Sequence, residues 1–259
     1  MLADYHMHTS YSVDSSYPME DVIKDAIRLG LDEICITDHQ EFGFGQDIDA
    51  PRYVREILQY KEKYKDEITI KLGLEFGLQR DNIDQYEKLY SSYDFDFIIL
   101  SIHSIGYLEF WDQVFQTGKS QEEYNQAYYD ELLYMVKNYK NYSVLGHLDA
   151  IVRYDKQGLY PFEKVKDKIS EILKVVIEDG KGIELNTSSK RYGIDDLTPS
   201  REILKLYRDL GGKIVTIGSD SHKHEHLGKY IIDAKEELKK IGFTEFTTFD
   251  KMVAEFHKL

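Results

Sequence analysis

Seven short apolar runs punctuate the chain, and stretches of helical periodicity lie between them. The runs are Leu2–His6, Glu33–Thr37, Ile68–Glu75, Asp96–Ile102, Tyr142–His147, Gly182–Asn186 and Lys213–Gly218. Their cores mostly do not alternate with polar residues, which suits parallel strands covered on both faces. Of the intervening stretches, Met19–Leu29 gathers Val22, Ile23, Ala26 and Ile27 on one face, and Gly30 follows as its stop. Ser120 and Glu123 make a capping box that opens a long helix to about Tyr139. Thr198 and Pro199 predict the N-cap and first turn of a helix that ends at Gly211. The tail Phe243–Leu259 reads as a short extra strand followed by a helix.

Repeated β-then-α units, with no Pro/Gly/Ser-rich linker and no internal repeat, predict an α/β fold. The expected form is a closed or nearly closed (β/α)-barrel of TIM-barrel type, a single domain over residues 1–259. An open doubly wound sheet would produce the same alternation and is the alternative.

Composition narrows the function. With 42% hydrophobic and 31% charged residues the chain can bury an ordinary globular core. A formal net charge of −14 argues against nucleic acid held on a broad basic surface. It leaves a small phosphate substrate open, because bound divalent ions reverse the local field. The single cysteine, Cys35, lies in the apolar run EICIT and reads as a buried, inert thiol. No stretch approaches membrane-spanning length and the N-terminus has no secretory pattern, so the expected location is the cytoplasm.

The polar residues at the strand ends carry the chemistry. Six of the nine histidines, with three carboxylates, sit there: His6, His8, Asp14, His39, Glu75, His103, His147, Asp220 and His222. His6 and His8 are two apart and share one face of a strand. Their end of the strand is where barrel enzymes place catalysis. A lone strand-end histidine is an ordinary hydrogen-bonded core residue. This many converging polar groups need partners, and metal ions satisfy them most simply. Imidazole and carboxylate without thiolate accept Zn, Fe or Mn.

In their order and spacing these residues resemble the PHP (polymerase and histidinol phosphatase) superfamily of metal-dependent phosphoesterases. The motifs are His6-x-His8, Thr37-Asp38-His39 with Glu75, His103, His147, and Asp220-Ser221-His222. The resemblance implies a distorted seven-stranded barrel with three divalent metal ions. His6, His8, Glu75 and Asp220 would hold the first ion, Glu75, His103 and His147 the second, and Asp14, His39 and His222 the third. A hydroxide bridging the ions held by Glu75 would then attack a phosphate monoester. Within the superfamily, Gly146-His147-Leu148-Asp149, Arg153, Asn186-Thr187-Ser188 and the Gly218–His222 ending resemble the stand-alone histidinol-phosphate phosphatases. That group's reaction, in histidine biosynthesis, is hydrolysis of L-histidinol phosphate to L-histidinol and phosphate.

Phosphate ester hydrolysis also follows from the ligand chemistry. Two ions ~3.5–4 Å apart can share a hydroxide and clamp phosphoryl oxygens for in-line attack. A guanidinium beside them would neutralise and orient the phosphate. Arg153, six residues past His147, is the first candidate and Arg191, in TSSKRYG, the second. As surface ion pairs they would contribute only ~0–1 kcal/mol. Glu41, Phe42, Phe44 and Trp111 follow His39 and His103 and are candidates for the substrate's other end. His224, His226 and His257 read as solvated, and the helical tyrosines Tyr124, Tyr128 and Tyr129 as packing. Competing classes are a phosphotyrosine- or nucleotide-directed relative, a binuclear amidohydrolase, and a non-catalytic metal-binding module. The amidohydrolase class would place a lysine where Glu75 stands, and degeneration would have erased ligands. The oligomeric state, the metal's identity and the leaving group's acid are not encoded in these patterns.

Overall fold

Every residue of EICI, FIILS and GIELN is buried, because one face of each strand lines a barrel and the other meets helices. The computed structural model describes residues 1–46 and 48–259. The strands are β1 (Ala3–Asp4), β2 (Glu33–Ile36), β3 (His39–Gln40), β4 (Thr69–Gly77), β5 (Phe97–Ser101), β6 (Ser104–Ile105), β7 (Leu108–Glu109), β8 (Val144–Leu145), β9 (Gly182–Asn186), β10 (Val215–Gly218), β11 (Glu245–Asp250) and β12 (Val253–Lys258). The helices are α1 (Met19–Arg28), α2 (Ala50–Lys63), α3 (Ile83–Tyr90), α4 (Gln121–Asn138), α5 (Lys166–Glu178), α6 (Arg201–Asp209) and α7 (Ile231–Ile241).

Parallel strands run side by side in the order β1-β2-β4-β5-β8-β9-β10, and β3 continues β2 along β4. The sheet closes on itself. Backbone bonds run from Tyr5 N–H to the Ile217 carbonyl (2.9 Å), Asp220 N–H to His6 (2.7 Å) and His8 N–H to Ser221 (2.8 Å). These bonds decide for the barrel over an open doubly wound sheet. None of the helices is long and apolar enough to cross a membrane among the described residues.

The expected helices form at α1 and α4. Gly30, at φ 73°, ends α1, with the Leu31 N–H bonded to the Ala26 carbonyl. The Ser120–Glu123 capping box is present at α4, and Tyr124, Tyr128 and Tyr129 are buried. Cys35 is buried and unbridged.

Two expectations are corrected. The helix expected from Thr198 begins three residues later, at Arg201, because the Ser200 hydroxyl, not Thr198, accepts the Ile203 N–H. The Thr198 carbonyl is held instead by the Asn186 N–H (2.7 Å) in an extension of β9. The tail forms no helix. It is a hairpin, β11 with β12, that seals the N-terminal end of the barrel. Its Phe246 and Phe249 are buried, Tyr5 Oη accepts from the Phe249 N–H (2.8 Å), and Asp250 pairs with Lys71 at the start of β4 (2.8 Å).

Candidate metal centre

All nine strand-end residues meet at the barrel mouth opposite that hairpin. β4 carries Glu75 to the centre, level with His39 on β3 and Ile99 on β5. The Ser101 hydroxyl fixes one Glu75 oxygen at 2.6 Å. Asp220 follows β10 with φ 55°, a left-handed turn that is uncommon for a non-glycine residue. Its N–H bonds to His6 and its carbonyl accepts from Arg191 (2.7 Å), so the turn is held at both ends.

Three clusters follow from the side-chain distances. His6 Nε2 lies 3.1 Å from Glu75 Oε2 and 3.7 Å from Asp220 Oδ1, and His8 Nε2 lies 3.6 and 3.5 Å from the same oxygens. His103 Nε2 and His147 Nε2 stand 3.5 Å apart, and Glu75 Oε1 is 3.2 and 2.9 Å from them. His39 Nε2 and His222 Nε2 stand 3.4 Å apart, with Asp14 Oδ2 3.6 and 3.1 Å away. The two Glu75 oxygens thus face two different clusters. His8 Nε2 is fully buried without a hydrogen-bond partner among the described residues. Buried donor atoms converging at this range fit metal ions, and these groups are able to hold them.

Carboxylates behind the cluster orient its rings, and the sequence patterns had not singled them out for this. Glu184, inside β9, reaches His6 Nδ1 at 2.6 Å and accepts the His147 N–H at 2.8 Å. It occupies space left by two glycines: a Cβ at Gly218 would meet its Oε1, and one at Gly146 would lie 3.6 Å from its Oε2. His8 Nδ1 meets Ser12 Oγ (3.1 Å), whose hydroxyl donates to Asp38 (2.6 Å). Glu41 meets His103 Nδ1. Rings held by one nitrogen present the other in a fixed direction, the usual arrangement behind metal-bound histidines.

Electrostatics follow the same geometry. Burial alone would lower His6, but Glu184, Glu75 and Asp220 outweigh it and raise its pKa well above the ordinary value. Burial acts on His103 likewise, and Glu41 and Glu75 lift it to about 9. Burial and the neighbouring His222 and His39 depress His8. Burial would raise Glu75, yet His6, His103 and His39 hold it well below the carboxylate range. Asp220 is depressed against its burial by His6 and Arg153. The metal-free cluster therefore retains protons on some imidazoles, and cations binding there displace them.

Above the cluster lies a cavity of about 370 Å³. Arg153 lines it, with one nitrogen bonded to Ser188 Oγ (2.8 Å) and Asp220 Oδ2 (2.9 Å) and its plane over the Tyr192 ring at 4.8 Å. Glu41, Phe44 and Trp111 also line it. Two substrate candidates fall elsewhere. Phe42 packs against Tyr86 in the core (centroids 4.7 Å apart), because its backbone N–H and carbonyl are fixed by Tyr86 and Asn82. Arg191 does not line the cavity, since its terminal nitrogens donate to the Ser219 and Asp220 carbonyls. His224, His226 and His257 are also outside the cavity lining.

A closed parallel barrel with clustered imidazoles and carboxylates at its mouth defines a metal-centred barrel protein, and the chain belongs to the PHP domain family, whose model matches residues 4–188. The match stops short of Asp220 and His222, which β10 adds. A histidinol-phosphatase of Lactococcus lactis is 36% identical over 266 residues, covering 98% of this chain and 97% of that protein. A probable histidinol-phosphatase of Thermotoga maritima is 30% identical, covering 93% of each. The crystal structure of a Lactococcus lactis histidinol phosphate phosphatase, complexed with zinc, L-histidinol and phosphate, matches with a TM-score of 0.86 and 34% identity over 98% of both chains.

Proposed function

We propose that this chain, acting as one phosphoesterase domain over residues 1–259, hydrolyses L-histidinol phosphate to L-histidinol and phosphate with three divalent transition-metal ions. The observation that carries the reading is the convergence of three ligand clusters on Glu75, beneath a cavity lined by Arg153. Full-length likeness to a histidinol phosphate phosphatase seen with zinc, L-histidinol and phosphate supports the substrate. L-Histidinol and phosphate are the two products of that hydrolysis.

His6, His8, Glu75 and Asp220 would hold one ion, Glu75, His103 and His147 a second, and Asp14, His39 and His222 a third. Zn, Fe and Mn all suit this thiolate-free donor set. When bound, the ions supply Lewis acidity and lower the pKa of water for attack on phosphorus. Arg153, already fixed by Ser188 and Asp220, donates to the equatorial phosphoryl oxygens as charge develops. Glu184, Glu41 and the Ser12–Asp38 pair hold the imidazoles in direction while this happens. The ester's alcohol carries an ammonium and an imidazole, and its binding along the cavity wall positions the phosphate.

A panel of phosphate monoesters on metal-loaded enzyme tests the reading. Histidinol phosphate is expected to exceed p-nitrophenyl phosphate and phosphotyrosine in kcat/KM by more than ~100-fold, about 2.7 kcal/mol of discrimination. Equal or better turnover of phosphotyrosine peptides or nucleotides would overturn the biosynthetic substrate.

A further inference from the structure

One carboxylate at the cavity is left without an assignment. Asp14 faces His39 and His222, Asp220 faces His6, His8 and Arg153, and Glu41 faces the Nδ1 of His103. Glu109 also lines the cavity, at the end of β7, yet its carboxylate has no hydrogen-bond or ion-pair partner among the described residues. The β6–β7 hairpin that presents it is tied to β4's exit, where Gln79 Nε2 donates to the Ser104 carbonyl (2.8 Å) and hydroxyl (2.7 Å). Glu109 is therefore held on a braced hairpin.

Beside it Trp111 also lines the cavity and is 65% exposed, a large flat apolar surface open to whatever enters. An unpaired carboxylate repels a phosphate dianion and attracts a cation, more strongly in a cleft than in open water. An adjacent indole adds attraction for an ammonium or imidazolium through its ring face. Arg153 serves the anionic end from a different loop. The two ends of the cavity wall thus carry opposite charge.

We propose that Glu109, backed by Trp111, is the specificity residue that receives the cationic end of a phosphate ester substrate. This rests on the phosphatase reading above and extends it from the reaction to the choice of alcohol. Glu41, which the sequence offered for this role, is occupied by His103.

The test compares kcat/KM for two pairs of esters in metal-loaded wild type and Glu109→Gln. One pair is histidinol phosphate with p-nitrophenyl phosphate, and the other is 2-aminoethyl phosphate with ethyl phosphate. The cationic-to-neutral ratio is expected to fall at least fivefold in both pairs in the variant, with metal content matching wild type. A smaller fall in a folded, metal-loaded variant overturns the proposal. If the Gln variant does not fold, Glu109→Asp, which withdraws the carboxylate by one methylene, takes its place. That variant is expected to lower the ratio at least twofold, and an unchanged ratio overturns the proposal equally. The wild type's own preference judges the histidinol phosphate reading separately. The aminoethyl and ethyl pair judges Glu109 even if that reading fails.

Discussion

Arg153 is the side chain on which the phosphate reading turns at the scale of single residues. Its guanidinium is buried, bonded on one edge and partnerless at Nε, so a phosphoryl group can complete its hydrogen bonds. Arg153→Ala is expected to lower kcat/KM for phosphate monoesters at least ~100-fold, about 2.7 kcal/mol of transition-state stabilisation. Arg153→Lys recovers only part, because an ammonium lacks the planar fork. Steady-state kinetics with metal content measured in parallel decides it, and a near-wild-type Arg153→Ala enzyme returns Arg153 to a structural role. The candidate ligands and Arg153 were legible in the sequence because they occupy strand ends, an address that periodicity reveals. Glu184 was not, since one acidic residue in GIELN looks the same whether it faces the barrel or the helices. Phe42 misled because proximity to His39 in sequence says nothing of which way a loop side chain turns.

At the scale of elements, the barrel strands were legible because both of their faces are buried, which leaves unbroken apolar runs. The closing hairpin was not. Its turn residues Lys251 and Met252 have φ 47° and 64°, a conformation usually signalled by Asn or Gly, and here neither occurs. The β6–β7 hairpin is only two residues a side and leaves no periodic trace. The β11–β12 hairpin matters to stability because it covers the barrel floor. Phe249 is 3% exposed and its ring lies 5.1 Å from that of Phe97, which in turn meets Tyr5. Phe249→Ala is therefore expected to destabilise the fold by about 3–5 kcal/mol in denaturant unfolding, by lost burial and a cavity. The metal ligands lie at the other mouth, so metal content of the folded variant stays as in wild type. A loss below about 1 kcal/mol would show that the hairpin is a loose appendage.

At the scale of the whole molecule, closure of the sheet is what makes one site of residues spread from His6 to His222. The bonds from Asp220 to His6 and from His8 to Ser221 bring the first and last strands together, and with them the ligands each carries. An open sheet with the same strands would leave His6 and Asp220 on opposite edges. The sequence showed which residues belong together by their shared strand-end address, while the grouping into clusters required the closed barrel. Three clusters, joined by the two oxygens of Glu75, imply a stoichiometry. Elemental analysis of protein purified without chelator is predicted to find close to three transition-metal ions per chain, and a reproducible value of one or below would contradict the three-ion centre.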